Sequence, residues 1–347
     1  MTKAQQAKTE TEESKEDELR RLTALEASMN LENKEYQDSN GDIAMIPAGF
    51  AVSQVEGEKI IDDGLVVIDS NGNEFVWVPV NNFEEMFWTY EGQQVGQLYE
   101  FLSESTTSKI TVYGTESYRE PDVAGFSGWC DDDPTMLIEA GLPESSTIED
   151  FKELLQNEFS QMTSSIETYN GFYIGRYETG GFNSKKVVSK KGEGDNSINR
   201  VTWYTMYRLQ KELYQNNENN SVVSSMIWGC EWDRTLKWMQ ESSKVEVRNY
   251  VVDSSKKGNY GTGSIIATGS NENYKINNIY DLAGNVFEWT LEAAPSGRRT
   301  IRGGSFALAH SGDRQPVSFR SNSVTSNDGD LTTNVGSRLQ LYIRLDS

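Results

Sequence analysis

An α+β domain, rich in ordered loop and preceded by a charged helical tail, is the fold class that this sequence predicts. Three observations carry that expectation. Few segments combine helical spacing with a capping signal, the strand-like runs are short, and polar stretches separate them. Residues 1–38 differ in kind, with no Gly or Pro and an abundance of Glu, Lys, Gln and Ser.

In the tail, Leu19, Leu22, Leu25 and Met29 form a thin apolar stripe on an otherwise charged helix. The stripe falls short of the three or four heptads that define a coiled coil. Two readings stay open: a solvated tail, or an adaptor helix that docks on a partner or self-associates. The shift in composition near Asp42 sets the expected division. Residues 1–40 are the helical tail for attachment or oligomerisation, and 41–347 the domain.

Along the domain, Leu65-Val66-Val67-Ile68 and Phe75-Val76-Trp77-Val78 flank Asp69-Ser70-Asn71-Gly72-Asn73, a hairpin signal because Asn-Gly tolerates positive φ. Residues 83–145 read as an insertion, and its Asp131-Asp132-Asp133 is either a cation site or a solvated loop. Ser146-Thr147-Ile148-Glu149 is a capping box that opens a helix carrying Phe151, Leu154, Leu155, Phe159 and Met162. Residues 172–177 predict a strand. Thr202 caps a second helix with Trp203, Met206 and Tyr207, and Glu231 to Met239 is a third, with Trp232, Leu236 and Met239 on one side. From about 243 onward short strands alternate with loops.

Composition narrows the function classes. A formal charge of −21 over 347 residues repels nucleic acid and anionic lipid, so neither is an expected partner. Apolar residues make up 36%, so the core leans on 8 Trp and 16 Tyr. With only Cys130, Cys230 and one histidine, His310, no zinc or iron centre can be built from this chain. Whether the two cysteines pair is open. The first residues lack the apolar stretch of a signal peptide, and no run is long enough to cross a membrane. The expectation is synthesis in the cytoplasm and arrival outside by lysis or on a particle.

Several segments, in order, resemble the formylglycine-generating enzyme, or sulfatase-modifying factor, family. They are Gly171-Phe172-Tyr173-Ile174-Gly175-Arg176-Tyr177-Glu178, Val201-Thr202-Trp203-Tyr204 and a degenerate Trp228-Gly229-Cys230-Glu231-Trp232-Asp233. Closest to the family pattern is Tyr280-Asp281-Leu282-Ala283-Gly284-Asn285-Val286-Phe287-Glu288-Trp289, followed by Arg302-Gly303-Gly304-Ser305 and Gly336-Ser337-Arg338. The resemblance covers about 165–347, and more loosely 42–82, and it is similar to the version found in gut Firmicutes and their prophages. It implies a compact, loop-rich relative of the C-type lectin fold.

It also implies what is missing. The family's enzymes use a copper-binding cysteine pair between the R-G-G-S and G-F-R segments, and 305–335 contains no cysteine. No copper is therefore expected, and the fold carries over without the activity. Ser311, His310 and Asp313 lie together but have no nucleophile elbow, so a triad is not read there. The resemblance makes the Asp281–Glu288 segment a calcium loop, with carboxylates from Asp281 and Glu288 and carbonyls from Gly284 and Val286. Hard oxygens suit that ion; the other reading is a turn closed by hydrogen bonds.

From Ser305 to Asn334 the chain is dense in Ser, Asn, Asp, Thr and Arg with scattered aromatics, the mixture of a recognition loop. The candidate ligand-binding residues are Phe306, His310, Arg314, Arg320, Asn322, Asn327 and Asp328. The expected function is a non-catalytic binding module on a phage or prophage particle, in its tail, fibre or head decoration. Its ligand would be a cell-surface glycan or protein. Two alternatives stay open: a purely structural virion protein, and an enzyme of the family with altered chemistry.

Overall fold

The computed structural model describes residues 3–86, 134–193, 201–215, 221–242, 258–294, 298–307, 317, 321–324 and 335–345. Helices and strands are both present, so the chain is α+β. The helices are α1 (Lys3–Met29), α2 (Ile61–Gly64), α3 (Pro134–Glu139), α4 (Ile148–Tyr169), α5 (Trp203–Glu212) and α6 (Gly229–Ser242). None is long and apolar enough to cross a membrane among the described residues.

A six-stranded antiparallel sheet forms the centre. Its strands are β3 (Phe50–Val52), β4 (Val66–Asp69), β5 (Glu74–Pro79), β6 (Gly171–Gly175), β14 (Leu339–Ile343) and β7 (Val222–Met226), neighbours in that order. Side chains alternate between faces with the strand period of two. Val66, Ile68, Val76, Val78, Phe172 and Ile174 enter one apolar core, which α4, α5 and α6 complete. Leu65, Val67, Phe75, Trp77, Tyr173, Leu339 and Leu341 enter a second on the opposite face, with Ala44, Ile46 and Phe50. Burial on both sides explains the unbroken apolar run at 65–68.

The β4–β5 hairpin forms where the sequence predicts it. Asp69 Oδ1 accepts from the amides of Asn71 (2.9 Å) and Asn73 (2.7 Å), and only Gly72 takes a positive φ there, 81°. Glycine thus supplies the left-handed residue after the turn. The α4 cap lies one residue beyond its expected place. Thr147 accepts from the Asp150 amide, and the Asp150 carboxylate accepts from the Thr147 amide. Ser146 and Glu149 play neither part. Thr202 caps α5 as expected, taking the Thr205 amide at 3.1 Å.

A four-stranded sheet stands beside this body, in the order β12 (Ser321–Val324), β11 (Arg298–Arg302), β10 (Phe287–Ala294), β13 (Val335–Ser337). Two short pairs, β1 (Lys34–Gln37) with β2 (Ile43–Ile46) and β8 (Lys275–Ile276) with β9 (Ile279–Tyr280), complete it.

Residue 40, the expected boundary between tail and domain, falls in the turn between β1 and β2. The second half of α1 is docked. Thr23, Ala27 and Asn30 are buried, and Asn30 Nδ2 donates to the carbonyls of Pro47 and Phe50, both at 3.0 Å. Deeper still, Arg20 reaches Glu58 (2.7 Å) and Glu74 (2.8 Å), which Arg176 also holds at 2.7 and 2.9 Å. These contacts are polar, so hydrophobic patterning gave no sign of them. Of the expected 83–145 insertion, a 3-10 turn at Phe83–Met86 and α3 are described. Asp131, Asp132, Asp133 and Cys130 lie outside the described residues, and Cys230 is buried.

Candidate functional site

Four of the segments that carry the family resemblance, 171–178, 280–289, 302–305 and 336–338, meet at one buried junction. Asp281, Gly284 and Asn285 all have positive φ, at 54°, 78° and 56°, so the loop after β9 coils tightly. A Cβ on Gly284 would meet the Asn259 carbonyl oxygen at 2.7 Å, so only glycine fits against that backbone. Asn285 is the hub. Its Nδ2 donates to Glu178 Oε2 (2.6 Å) and its Oδ1 accepts from Asn259 Nδ2 (2.9 Å) and the Ile266 amide (3.0 Å).

Arg338, in the residue between β13 and β14, closes the junction. Its Nε sits 2.9 Å from Glu288 Oε2 and its Nη2 2.6 Å from Oε1, while Nη1 and Nη2 donate to the carbonyls of Gly175 and Tyr280. The parallel β10–β13 pairing sets Glu288 against Gly336, two residues before this arginine. Ser337, where the resembled pattern has Phe, is buried and accepts from Gln210 Nε2 at 2.9 Å. The substitution is thus matched by a polar partner on α5.

Three carboxylates therefore surround one guanidinium in the interior: Glu178, Asp281 and Glu288, each at most 4% exposed. Burial, then the charges of Asp281 and Glu288, push the Glu178 carboxyl well above the usual carboxylate range. Burial likewise raises Asp281, opposed by hydrogen bonds from the Gly269 amide and Thr268. Burial also raises Glu288 despite the pull of Arg338.

The calcium ligand set implied by the resemblance fits unevenly. Asp281 Oδ2 accepts from Gly269 N (2.8 Å) and Thr268 Oγ1 (3.0 Å), and its Oδ1 is buried without a hydrogen-bond partner. That oxygen suits a cation. Glu288 is held by Arg338 through both oxygens, so an ion shared by Asp281, Gly284, Val286 and Glu288 would have to displace the arginine. Val286 contributes its amide to Glu178 Oε1 at 3.2 Å. Among the described residues no group of three or more His, Cys, Asp or Glu is arranged to hold a metal.

Of the candidate recognition residues, Phe306 is half-buried beside this junction. Its amide donates to the Asn285 carbonyl (2.9 Å) and its carbonyl accepts from Gly263 (3.1 Å). Asn322 lies on β12, the edge strand, opposite Thr300. His310, Arg314, Arg320, Asn327 and Asp328 lie outside the described residues. Between Phe306 and β12 the segment touches the body at Val317, buried, whose carbonyl accepts from Trp232 Nε1 at 3.0 Å. Among its described residues, the 305–334 segment is thus joined to the junction at Phe306, to the core at Val317 and to β11 through β12. Sequence reading missed Glu178, although it lies in one of the resembling segments, and Arg338 as the partner of Glu288.

No protein-family model matches this chain, and no curated protein matches it significantly. Among solved structures, the crystal structure of CarF is similar over 51% of this chain and 87% of that one, with 15% identity and a TM-score of 0.37. A likeness that loose carries no argument about function.

Proposed function

We propose that this chain is a non-catalytic binding module on a formylglycine-generating-enzyme-like scaffold related to C-type lectins. It is carried on a phage or prophage particle, with the 305–334 segment as its recognition face for a cell-surface glycan or protein. The single observation supporting this is the support of that segment. Its base, Phe306, is bonded to Asn285, and Asn285 belongs to the buried junction that Arg338 and Glu288 close. A segment rich in polar side chains, held at its root and at Val317, meets a binding loop's need for a rigid base. No cysteine lies between Ser305 and Val335, so the copper chemistry of the resembled enzymes has no ligands there. Calcium at Asp281 and attachment through α1 belong to the same reading.

The test is binding of the labelled chain to a glycan array and to bacterial cells, with Arg314→Ala, Asn322→Ala and Asn327→Ala compared. The expected outcome is a bound target, loss of binding in at least one variant, and melting temperatures unchanged. Removing a side chain that makes no core or network contact changes stability by about ±0.5 kcal/mol, whereas an anchoring Arg contributes roughly 2 kcal/mol or more to binding. Variants that lose stability and binding together would make the segment structural and remove the reading. Oxidation of cysteine in a sulfatase peptide, above a no-enzyme control, would overturn the non-catalytic part.

A further inference from the structure

We infer that the outward face of α1 is a dimer seam, covered by a second copy of this chain with the two helices parallel. Leu22, Leu25 and Met29 are 47%, 59% and 67% exposed. Their spacing of three and four makes them the a, d and a positions of a heptad. The domain grips the other side of the helix through Arg20, Thr23, Ala27 and Asn30, which fall at f, b, f and b. At 100° per residue the centres of the two faces lie roughly 150° apart. Each domain therefore sits on the far side of its helix from the seam, and two copies can meet there. Leu22, Leu25 and Met29 are left outside, with Leu19 half-buried, while smaller and polar residues dock, the reverse of what a helix serving only its own core would do.

Charge decides the partner and the direction. Arg21 and Glu26, both exposed, flank the seam at g and e. In a parallel, in-register pair, g of one helix meets e of the other five residues on. Arg21 then faces Glu26 of the partner subunit, and two-fold symmetry makes the contact twice. Gln54 Nε2 donates to Glu26 Oε2 at 3.0 Å and fixes its side chain at the flank of the helix. An antiparallel pair would instead set Arg21 beside Ser28 and Glu26 beside Leu19, with no charge matched. Upstream, the a and d positions are Lys8, Thr11, Lys15 and Glu18, so the seam is confined to the docked half of α1. The inference rests on the attachment role proposed for α1 and specifies it. Its test uses no ligand and no particle, so its failure and that of the recognition reading are separate results.

Sedimentation equilibrium of the full chain, from low micromolar to several hundred micromolar, tests it. The expected result is a mass that doubles with concentration. Leu25→Asp, which would bury a charge in the seam, should weaken the dimer by at least about tenfold, with the far-UV spectrum unchanged. Leu25→Ser serves as a milder second variant. Arg21→Glu should weaken it, and Arg21→Glu combined with Glu26→Arg should restore it. Mild oxidation of the Leu25→Cys chain should cross-link it beyond the level given by Cys130 and Cys230 alone, because facing d positions of parallel helices come within the roughly 4.4–6.8 Å Cα separation of a disulfide. A chain that stays monomeric at every concentration overturns the inference, leaving the stripe to another occupant. A dimer indifferent to Leu25→Asp, or one that the Leu25→Cys chain does not cross-link, overturns it as well.

Discussion

Arg20 on α1 and Arg176 at the end of β6 hold the same two carboxylates: each guanidinium lies within 2.9 Å of both Glu58 and Glu74. The N-terminal helix is thereby fastened to the centre of the sheet by ions rather than by leucines. Arg176 in turn lies against the Tyr177 and Tyr280 rings, 5.6 and 5.4 Å from their centroids, which links this lock to the junction around Asp281.

Arg20→Ala should cost roughly 2 kcal/mol, the scale of hydrogen bonds to a charged group, read as a shift of the denaturation midpoint. Trypsin should then cut at Lys15 and Arg21 before it cuts the rest of the chain. Deleting residues 3–17 should leave the melting curve in place, because none of the docking contacts above involves them. Deleting 1–38 should not, because β2 would lose β1 and the sheet its cover. Equal stability of the two truncations would show that α1 docking contributes nothing.

Acid should loosen the Glu58 side of the same lock, whereas burial raises the Glu74 carboxyl, so that its protonation acts in the opposite sense. Burial alone would raise the Glu58 carboxyl, but Arg176 and Arg20 outweigh it and hold it down at about 2. A group whose folded pKa is depressed contributes stability above its unfolded value, near 4.5, and loses it as the pH falls through about 2. The amount at stake is up to about 3 kcal/mol. Between pH 5 and pH 2, Glu58→Gln should therefore show a shallower loss of stability than the native chain, measured by urea unfolding at each pH.

Arg338→Ala should be among the most damaging single changes. It would leave Glu178, Asp281 and Glu288 buried with no guanidinium among them, and breaking such a pair costs about 3–5 kcal/mol. Arg338→Lys should recover only part, since one ammonium cannot serve two carboxylate oxygens and the carbonyls of Gly175 and Tyr280 in one plane. Circular dichroism melts of both variants read this out; a native-like melt for Arg338→Ala would mean the carboxylates are neutral in the fold.

Calcium should raise the melting temperature, and Asp281→Ala should abolish the increment. An ion bound only by the folded chain stabilises it by about 2.7 kcal/mol at a hundred times its dissociation constant. Glu288→Ala is not an equivalent test, because it also strands Arg338. A melting curve indifferent to chelator and to added calcium would make the loop a turn closed by hydrogen bonds alone.

How much of this was legible in the sequence depended on distance along the chain. The β4–β5 hairpin, α4 and the Thr202 cap rest on patterns a few residues long, and each formed where expected. The α4 cap slipped by one residue because Ser146…Glu149 and Thr147…Asp150 both satisfy the same spacing. The lock around Glu74 could not be read, since its partners lie 54 and 102 residues away. The stripe on α1 was visible in the sequence, but the opposite face, where Thr23, Ala27 and Asn30 dock on the domain, carries no apolar pattern to mark it. At the candidate site the sequence named Asp281 and Glu288 as a pair facing one ion. It gave no sign of Arg338, fifty residues beyond Glu288, which binds both oxygens of that carboxylate and whose reach no local pattern describes.

The order of the central sheet has a further consequence for how the protein is made. β14 lies between β6 and β7, although both precede it in the chain by more than a hundred residues. During synthesis, at about 5–20 residues per second, β6 and β7 must wait with open hydrogen-bonding edges until β14 leaves the ribosome. The wait lasts several seconds at the least, and the two edges cannot simply be joined to each other, because β14 must later enter between them. Such late, non-local closure slows folding and exposes strand edges to aggregation. Expression at low temperature, or with a holdase present, should therefore raise the yield of folded chain more than any surface substitution would.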